Sequence, residues 1–440
     1  MERRINVEQA FKRRKFFRRW KMGRKGLATL LLLGGVGLTL AALPLIAPAA
    51  KAASKAPEAI KVGAAIPLTG RFASGGNMVK LGYEIAVDFI NDAGGVYVKE
   101  FGTKLPLDLK ILDDESDPVK TVSKLETLND MHKVTSYLGG FGSALHAAAA
   151  AVAEKNRVPY LGVAFSLYAI HEKGYKYLFS PFSKTPYSIT TLFEMLKTVP
   201  ASERPTKIAI FRLATDWGIE QADLIHKLAP PEYKIVTDMK YSPRTKNFSP
   251  MILKAKAAGA DSLWSNPITP DGIAMVRQMK ELDWNPKFLY VVRASGSYDW
   301  IEALGSAGDY AVAESTYHWS YPYPGNTKFV DECKKRSGLL PQNSHGTAYV
   351  CVQILADAIE RAGTLDRDKI RDAIAATNMI SIMGRIRFNP DGTANMYNPD
   401  GTINAIGAMS QWIEQKRQLV WPGDLANARF VYPAQPFKER

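Results

Sequence analysis

From Ile60 onward, the hydrophobic positions of this chain form short apolar runs that alternate with amphipathic stretches. Short apolar runs between turn residues are typical of buried strands, whereas apolar residues three or four positions apart are typical of helices. A regular alternation of the two predicts a parallel sheet with helices on both faces. The pattern therefore predicts an α/β protein with doubly wound sheets.

The predicted elements form two successive series. The first has strands at 60–66, 105–112, 135–138 and 159–164, with helices at 79–91, 118–131 and 143–155. The second has strands at 207–213, 234–239, 262–265 and 287–292, with helices at 219–228, 249–258 and 272–282. Each series has the length of an ordinary domain, so two lobes are predicted. Helices expected at 327–336, 344–362 and 366–376 and a β-rich tail should return to these lobes.

The first 52 residues have the pattern of an export signal. A basic stretch precedes an apolar run at 27–46 and then Ala50-Lys51-Ala52, an A-x-A sequence that predicts cleavage after Ala52. We therefore predict a signal peptide at 1–52 and a periplasmic location. Arg13-Arg14-Lys15-Phe16-Phe17 resembles a twin-arginine motif, so that export route stays open beside the general one. An uncleaved anchor is the alternative, although glycines and Pro44 weaken such a helix.

The net charge of +14 is concentrated in this leader, which holds 12 of the 57 Lys and Arg residues and 2 of the 43 Asp and Glu residues. The remaining residues carry only +4. Because they also show no basic stripe with interleaved aromatic residues, we predict no nucleic-acid partner.

Cys333 and Cys351 are the only cysteines and fall in consecutive predicted helices. After export they would meet an oxidising compartment, so a disulfide and a pair of buried thiols are both open interpretations. No cysteine precedes Cys333, which excludes a lipid-modified cysteine at the predicted cleavage site.

Motifs for catalysis or metal binding are missing from the sequence. It contains no H-E-x-x-H, C-x-x-C or G-x-x-x-x-G-K-[ST], and its six histidines lack metal-ligand spacing. The string NPDGT occurs at 389–393 and 398–402, where Asp-Gly after Asn-Pro predicts turns rather than calcium loops. We therefore predict no catalytic residues, no metal and no cofactor, and a protein that is not an enzyme.

The stretch LGGFGSALH at 138–146 resembles an anion-binding loop. No lysine lies between Leu138 and Glu154, which excludes a P-loop, and the glycines do not flank Ser143 as a nucleophile elbow requires. What remains is a helix N-terminus with Ser143 as its cap, where free N–H groups and the helix dipole stabilise a carboxylate. A purely structural serine cap is the alternative.

Several of these motifs resemble the branched-chain amino acid binding protein family, the type I periplasmic solute receptors of ABC importers. They are P-L-T-G at 67–70, I-N-x-A-G-G at 90–95, D-D-E-S-D-P at 113–118 and the Gly-Ser helix start at 142–143. The resemblance covers nearly the whole chain after the leader. It implies a type I fold with three hinge segments: an N-terminal lobe of 58–180 and about 318–378, and a C-terminal lobe of 181–317 and about 379–435.

The resemblance also implies the ligand site, in the cleft between the lobes. Residues expected to bind the ligand carboxylate are Ser143, Ala144, Ala164 and Ser166, and those expected to line the pocket are Phe72, Phe141, Phe165 and Trp217. For each aromatic residue, core packing is the alternative interpretation.

One departure from the family concerns the ligand's ammonium. Amino-acid receptors of this family typically carry an acidic residue on the strand end where this chain has Arg293, Ala294 and Ser295, and an unpaired buried ammonium is costly. If Arg293 faces the cleft it favours an anionic group of the ligand; an arginine on the rim or in an ion pair between the lobes is the alternative. Gly75 and Gly76 stand where an aromatic residue is usual, which should leave room for a larger ligand. The hypothesis is therefore a hydrophobic or aromatic organic acid, with a hydrophobic amino acid as competitor. The implied partners are this small molecule and the permease subunits of an ABC importer; a sensory module signalling to a membrane partner is the alternative.

Overall fold

The computed structural model describes residues 55–440. The predicted signal peptide, its cleavage site and the twin-arginine motif lie outside the described residues. No helix within residues 55–440 combines the length and the apolar character needed to cross a bilayer.

The N-terminal part of the described chain follows the predicted alternation. Its strands are β1 (Ile60–Ile66), β2 (Val96–Val98), β3 (Thr103–Leu105), β4 (Leu107–Asp113), β5 (Ser136–Leu138), β6 (Tyr160–Leu161) and β7 (Leu178–Phe179). Its helices are α1 (Ala73–Asp92), α2 (Pro118–Asp130) and α3 (Ser143–Asn156).

The C-terminal part begins as a second alternating series and ends in helices and hairpins. Its strands are β8 (Lys207–Leu213), β9 (Lys234–Tyr241), β10 (Ser262–Ser265), β11 (Phe288–Val291), β12 (Ala311–Glu314), β13 (Asn378–Ser381), β14 (Gly384–Arg387), β15 (Met409–Ile413) and β16 (Lys416–Trp421). Its helices are α4 (Thr185–Leu196), α5 (Asp216–Leu228), α6 (Ser249–Ala257), α7 (Thr269–Glu281), α8 (Tyr298–Leu304), α9 (Asn326–Ser337), α10 (Asn343–Ala362) and α11 (Arg367–Ala375).

The first sheet has the strand order β4-β1-β5-β6-β7, and all its pairs are parallel. Alternate residues of β1, Ile60, Val62, Ala64 and Ile66, pack into one hydrophobic core with side chains of α1 and α10. Side chains of α2 and α3 belong to the core on the opposite face. The period of two along β1 thus buries both faces of the sheet under helices.

The second sheet has the order β16-β15-β12-β11-β10-β8-β9. The neighbouring strands β9, β8, β10, β11 and β12 pair in parallel. Strands β15 and β16 add an antiparallel edge beside β12. The chain leaves the first sheet after β7, returns after β12 to place α9 and α10 against α1, and goes back to the second sheet at β15. It therefore passes three times between the two sheets.

Most predicted elements have counterparts, and the departures have local causes. The predicted strand at 105–112 is divided at Pro106, which has no N–H to continue the ladder with β1. The predicted strand at 159–164 retains only Tyr160–Leu161 in regular pairing. Helix α1 begins at Ala73 rather than at 79. Its first turns contain Gly75 and Gly76, whose low helix propensity gives no local signal for a helix there.

Two sequence interpretations concern cysteines and turns. Cys333 and Cys351 are free and fully buried, so the disulfide interpretation is wrong for this structure. Burial raises the pKa of the Cys333 thiol to about 12, which makes it unreactive. The two NPDGT strings form the same turn: the carboxylate oxygens of Asp391 and Asp400 each accept hydrogen bonds from the threonine two residues later. Within residues 55–440 no group of His, Cys, Asp or Glu side chains has the arrangement of a metal site.

Candidate functional site

A cavity of about 280 Å³ lies where the carboxyl ends of strands from the two sheets face each other. Open α/β sheets bind ligands at this end of their strands. The volume is near the lower limit of about 300–1,000 Å³ for small-molecule sites, which fits a small metabolite.

The first-sheet side of the cavity contains two phenylalanine rings that pack against each other. Phe72 lies in the turn before α1, Phe141 follows β5, and Ala164 to Ser166 follow β6. Phe141 and Ala164 form a parallel bridge, and the Gly142 N–H donates to the Ala164 carbonyl oxygen at 2.9 Å. The Phe72 and Phe141 rings pack against each other with centroids 6.1 Å apart. This backbone pairing and ring packing hold the aromatic wall in place.

The second-sheet side of the cavity combines an aromatic ring with a cation. Trp217, at the start of α5, donates from its indole N–H to the Thr185 hydroxyl at 3.2 Å. The Arg293 guanidinium lies over the Trp217 ring, 4.0 Å from its centroid. It is also 5.9 Å from the Phe72 centroid and 6.0 Å from that of Phe141, so the cation is bordered by three aromatic rings.

Arg293 is held in an uncommon backbone conformation. Its φ of 69° and ψ of −59°, with a hydrogen bond of 2.9 Å from the Ala294 N–H to the Val292 carbonyl, define a classic γ-turn. A residue with a side chain adopts this turn at a cost of about 1–3 kcal/mol. In the described part of the chain no oxygen accepts a hydrogen bond from its guanidinium. Burial lowers the pKa of Arg293 to about 10, so it remains a cation at neutral pH.

Glu314 is a cavity residue that the sequence analysis missed. It is the last residue of β12, is only 6% exposed, and its Oε1 accepts a hydrogen bond from the Ser166 hydroxyl at 3.1 Å. Burial raises the pKa of its carboxyl group to about 7. The only sequence signal for it is an acidic residue at the end of the apolar run AVAE, in a strand that was not predicted.

Ser143 and Ala144 do not line the cavity, unlike the other seven predicted site residues. Gly142, with φ of 106°, occupies the N-cap position, and Ser143 is the first helical residue with a buried hydroxyl that makes no hydrogen bond. The predicted serine cap is therefore wrong. The Phe72 ring packs on Gly142, where a Cβ would lie 3.2 Å from the ring.

The expected space at Gly75 and Gly76 is filled by the protein itself. A Cβ on Gly75 would lie 2.4 Å from the Phe141 ring, and one on Gly76 would lie 1.8 Å from the Pro67 carbonyl oxygen. Gly75 lines the cavity and packs closely against Phe141, whereas Gly76 does not line it, so the expected space is absent at Gly76.

Two hydrogen bonds join the walls of the cavity. The Ser74 and Ser297 hydroxyls lie 3.1 Å apart, and Ser166 contacts Glu314 as described. Together with the position of Arg293 between Trp217 and the two phenylalanine rings, they enclose the cavity from both sides.

A family model described as "Periplasmic binding protein" matches residues 59–403, which is most of the chain. The chain belongs to the periplasmic binding protein family. Among its curated relatives is the Leu/Ile/Val-binding protein homolog 7 of Brucella suis biovar 1, which is 26% identical over 364 residues; the match covers 78% of this chain and 86% of the relative. The resemblance inferred from the sequence motifs is thus confirmed.

Solved structures of this family share the fold. The branched-chain amino acid transporter substrate-binding protein LivJ from Streptococcus pneumoniae, in complex with isoleucine, has a TM-score of 0.69 at 20% identity, covering 85% of this chain and all of that one. A solute-binding protein of an ABC transporter from R. palustris, in complex with benzoate, has a TM-score of 0.70 at 16% identity, with coverages of 82% and 95%. The predicted type I α/β fold is confirmed. Proteins of this family bind solutes and are not enzymes, which agrees with the prediction made from the motifs.

Proposed function

We propose that this protein is an extracytoplasmic solute receptor that captures a small carboxylate-bearing ligand and delivers it to an ABC importer. The observation that supports this most is the Arg293 guanidinium, a cation without a hydrogen-bond partner in the described chain, in an enclosed cavity with aromatic walls. The proposal includes export by the signal peptide and lobe boundaries at 58–180 with about 318–378, and at 181–317 with about 379–435.

Arg293 suits a ligand carboxylate for geometric reasons. The Arg293 guanidinium lies over the Trp217 ring and makes no hydrogen bond within the described residues, so its N–H groups are available to the two oxygens of a carboxylate. Phe72 and Phe141 then favour a planar apolar body for the rest of the ligand. We therefore assign the carboxylate to Arg293 rather than to the start of α3, because Ser143 and Ala144 do not line the cavity.

The ligand class proposed first is a hydrophobic or aromatic organic acid. The benzoate complex of the R. palustris protein shows that the fold accommodates such a ligand. A hydrophobic amino acid is the second candidate, because the buried Glu314 carboxylate could pair with its ammonium group. Glu314 thereby supplies, from another strand, the acidic group whose absence at position 293 argued against amino acids.

Capture requires no chemistry. A ligand that contacts both walls binds the closed conformation more tightly than the open one, and this difference in affinity shifts the protein toward the closed conformation. The permease subunits then recognise the surface of the closed conformation.

Calorimetric titration of the purified protein tests the proposal. We expect benzoate or a related aromatic acid to bind with a dissociation constant in the micromolar range or below, about −8 kcal/mol or better. Tight binding of leucine or phenylalanine without a response to non-amino carboxylates would replace the first ligand class by the second. A failure of both classes to bind would contradict the proposed function.

Trp217 should report this binding directly. Because the ligand takes its place beside the indole ring and Arg293, we expect tryptophan emission to change on titration with the bound acid, and the Trp217→Phe variant to lose most of that change. Trp421→Phe, which alters a tryptophan at the end of β16 outside the cavity, is the matched control and should keep the signal. An equal signal change in the Trp217→Phe variant would contradict the placement of the ligand.

A further inference from the structure

Glu314 is a buried carboxyl group with no ion pair. Its Oε1 accepts from the Ser166 hydroxyl at 3.1 Å, and its Oε2 lies 3.5 Å from the Tyr290 hydroxyl. Its backbone carbonyl oxygen is held separately by Asn343 at 2.8 Å and Arg417 at 2.9 Å. The side chain is therefore fixed at the cavity wall by neutral partners only.

The charged groups around Glu314 are directed elsewhere. Arg417 of β16 uses its guanidinium on the Ser410 hydroxyl, the Gln342 amide oxygen and the Glu314 backbone. The Lys184 ammonium, before α4, donates to the Phe165 and Phe182 carbonyls and the Ser180 hydroxyl. Arg293 lies over the Trp217 ring and faces the cavity, which Arg71 and Asp299 also line. Within residues 55–440 no Lys, Arg or His forms an ion pair with the Glu314 carboxylate.

A carboxyl group in this setting has two stable states. It can be protonated and neutral, or it can be ionised. The nearby Arg293 and Arg417 guanidinium groups favour the ionised form without forming an ion pair with it, and a cation of the ligand would supply the pairing that a buried charge requires. A ligand carboxylate at Arg293 adds a second anion to the same small cavity, and like charges oppose each other's ionisation.

We infer that Glu314 determines the ionic form of the ligand: an anionic acid is captured together with a proton on Glu314, whereas a ligand with an ammonium group is captured with Glu314 ionised. This inference rests on the proposed function and assigns a specificity-determining residue to its site.

The direction of the pH dependence follows. Burial already raises the pKa of Glu314 to about 7 in the ligand-free protein, and a bound anion raises that pKa further. Below about pH 7, Glu314 is already neutral and the anionic ligand binds with full affinity. Above about pH 7, Glu314 must take up a proton when the ligand binds, and the affinity falls by up to about tenfold per pH unit. For an amino acid the dependence is opposite, since its affinity falls as Glu314 becomes protonated.

The experiment uses benzoate and leucine as probes, because their own groups titrate little between about pH 6 and 8.5. Calorimetry of the unmodified protein at about pH 8, in buffers of different ionisation enthalpy, should show uptake of close to one proton per benzoate bound. Dissociation constants over the same pH range should rise with pH for benzoate. If leucine binds, its dissociation constant should fall as pH rises.

Glu314→Gln separates protonation from packing. The neutral amide can still accept the Ser166 hydrogen bond, so benzoate affinity should become independent of pH and remain near the value of the unmodified protein at low pH, while leucine affinity falls at least about tenfold. Asp309→Asn is the matched control, since Asp309 is 6% exposed and burial also raises its pKa, but it lies outside the cavity. It should preserve the proton uptake.

Benzoate binding without proton uptake and without pH dependence would overturn the inference but not the proposed function. A protein that binds neither probe nor any related carboxylate or amino acid, at any pH, would overturn both.

Discussion

Replacing Arg293 with glycine is expected to weaken binding of the ligand carboxylate by about 100-fold or more while leaving the protein at least as stable as before. Loss of a charge-assisted, bidentate pair in an enclosed site costs about 3 kcal/mol, which corresponds to roughly 100-fold in the dissociation constant. Stability should not fall, because glycine adopts the φ of 69° at position 293 without the strain that arginine bears there.

The measurement is calorimetric titration with the best aromatic acid, together with the thermal unfolding midpoint. Arg157→Gly is the matched control: it makes the same substitution at another positive φ, 50°, at the exposed C-terminus of α3, and should leave affinity unchanged. An Arg293→Gly variant that keeps its affinity would exclude Arg293 as the carboxylate partner and restore the backbone near Ser143 as the candidate.

Local patterns were sufficient to predict the sheets. Strand β1 alternates residues that pack toward α1 and α10, and β8 lies within an apolar run flanked by turn residues, so both were predicted with the boundaries that the structure has. Strands β7 and β12 were not predicted, although the equally short β5 and β10 were, because runs of two to four residues carry little periodic signal and are detected only in part.

The site was predictable where the chain brings residues to strand ends by regular geometry. Phe141, Ala164 and Trp217 line the cavity because each follows a parallel strand or begins the next helix. The errors came from contacts between distant segments. No local signal shows that the Phe72 ring covers Gly142, or that Phe141 fills the space beside Gly75.

The acidic group illustrates the same limit. The motif comparison at position 293 considered the end of one strand only, whereas the structure places an acidic residue of the cavity, Glu314, at the end of the adjacent strand β12. Adjacent parallel strands end at the same edge of a sheet, so a charged residue at the end of either strand can reach a ligand bound at that edge. The role of a residue in a relative is thus assigned to this chain more safely from its position in the cavity than from its position in a sequence motif.

The close crossing of α1 and α10 leads to the second large expected effect, on stability. Helix α1 approaches the backbone of α10 at Gly82, where a Cβ would lie 2.2 Å from the His345 carbonyl oxygen and 2.9 Å from the Ala348 Cβ. The obstacle is largely helix backbone, which cannot rotate away as a flexible side chain can. Gly82→Ala therefore forces the two helices apart within the core of the first sheet.

We expect Gly82→Ala to lower the free energy of unfolding by about 2 kcal/mol, because an overpacking cost of about 3 kcal/mol exceeds the gain of about 1 kcal/mol from better helix propensity. Urea denaturation followed by far-ultraviolet circular dichroism measures the effect. Gly423→Ala is the control, since a Cβ there would have no neighbour within 4 Å, and it should leave the free energy of unfolding nearly unchanged. If the two variants unfold at the same urea concentration, α1 and α10 can separate enough to accept the added methyl group. The helix α1 that follows Phe72 would then be a less rigid support for the cavity wall than the close contact at Gly82 indicates.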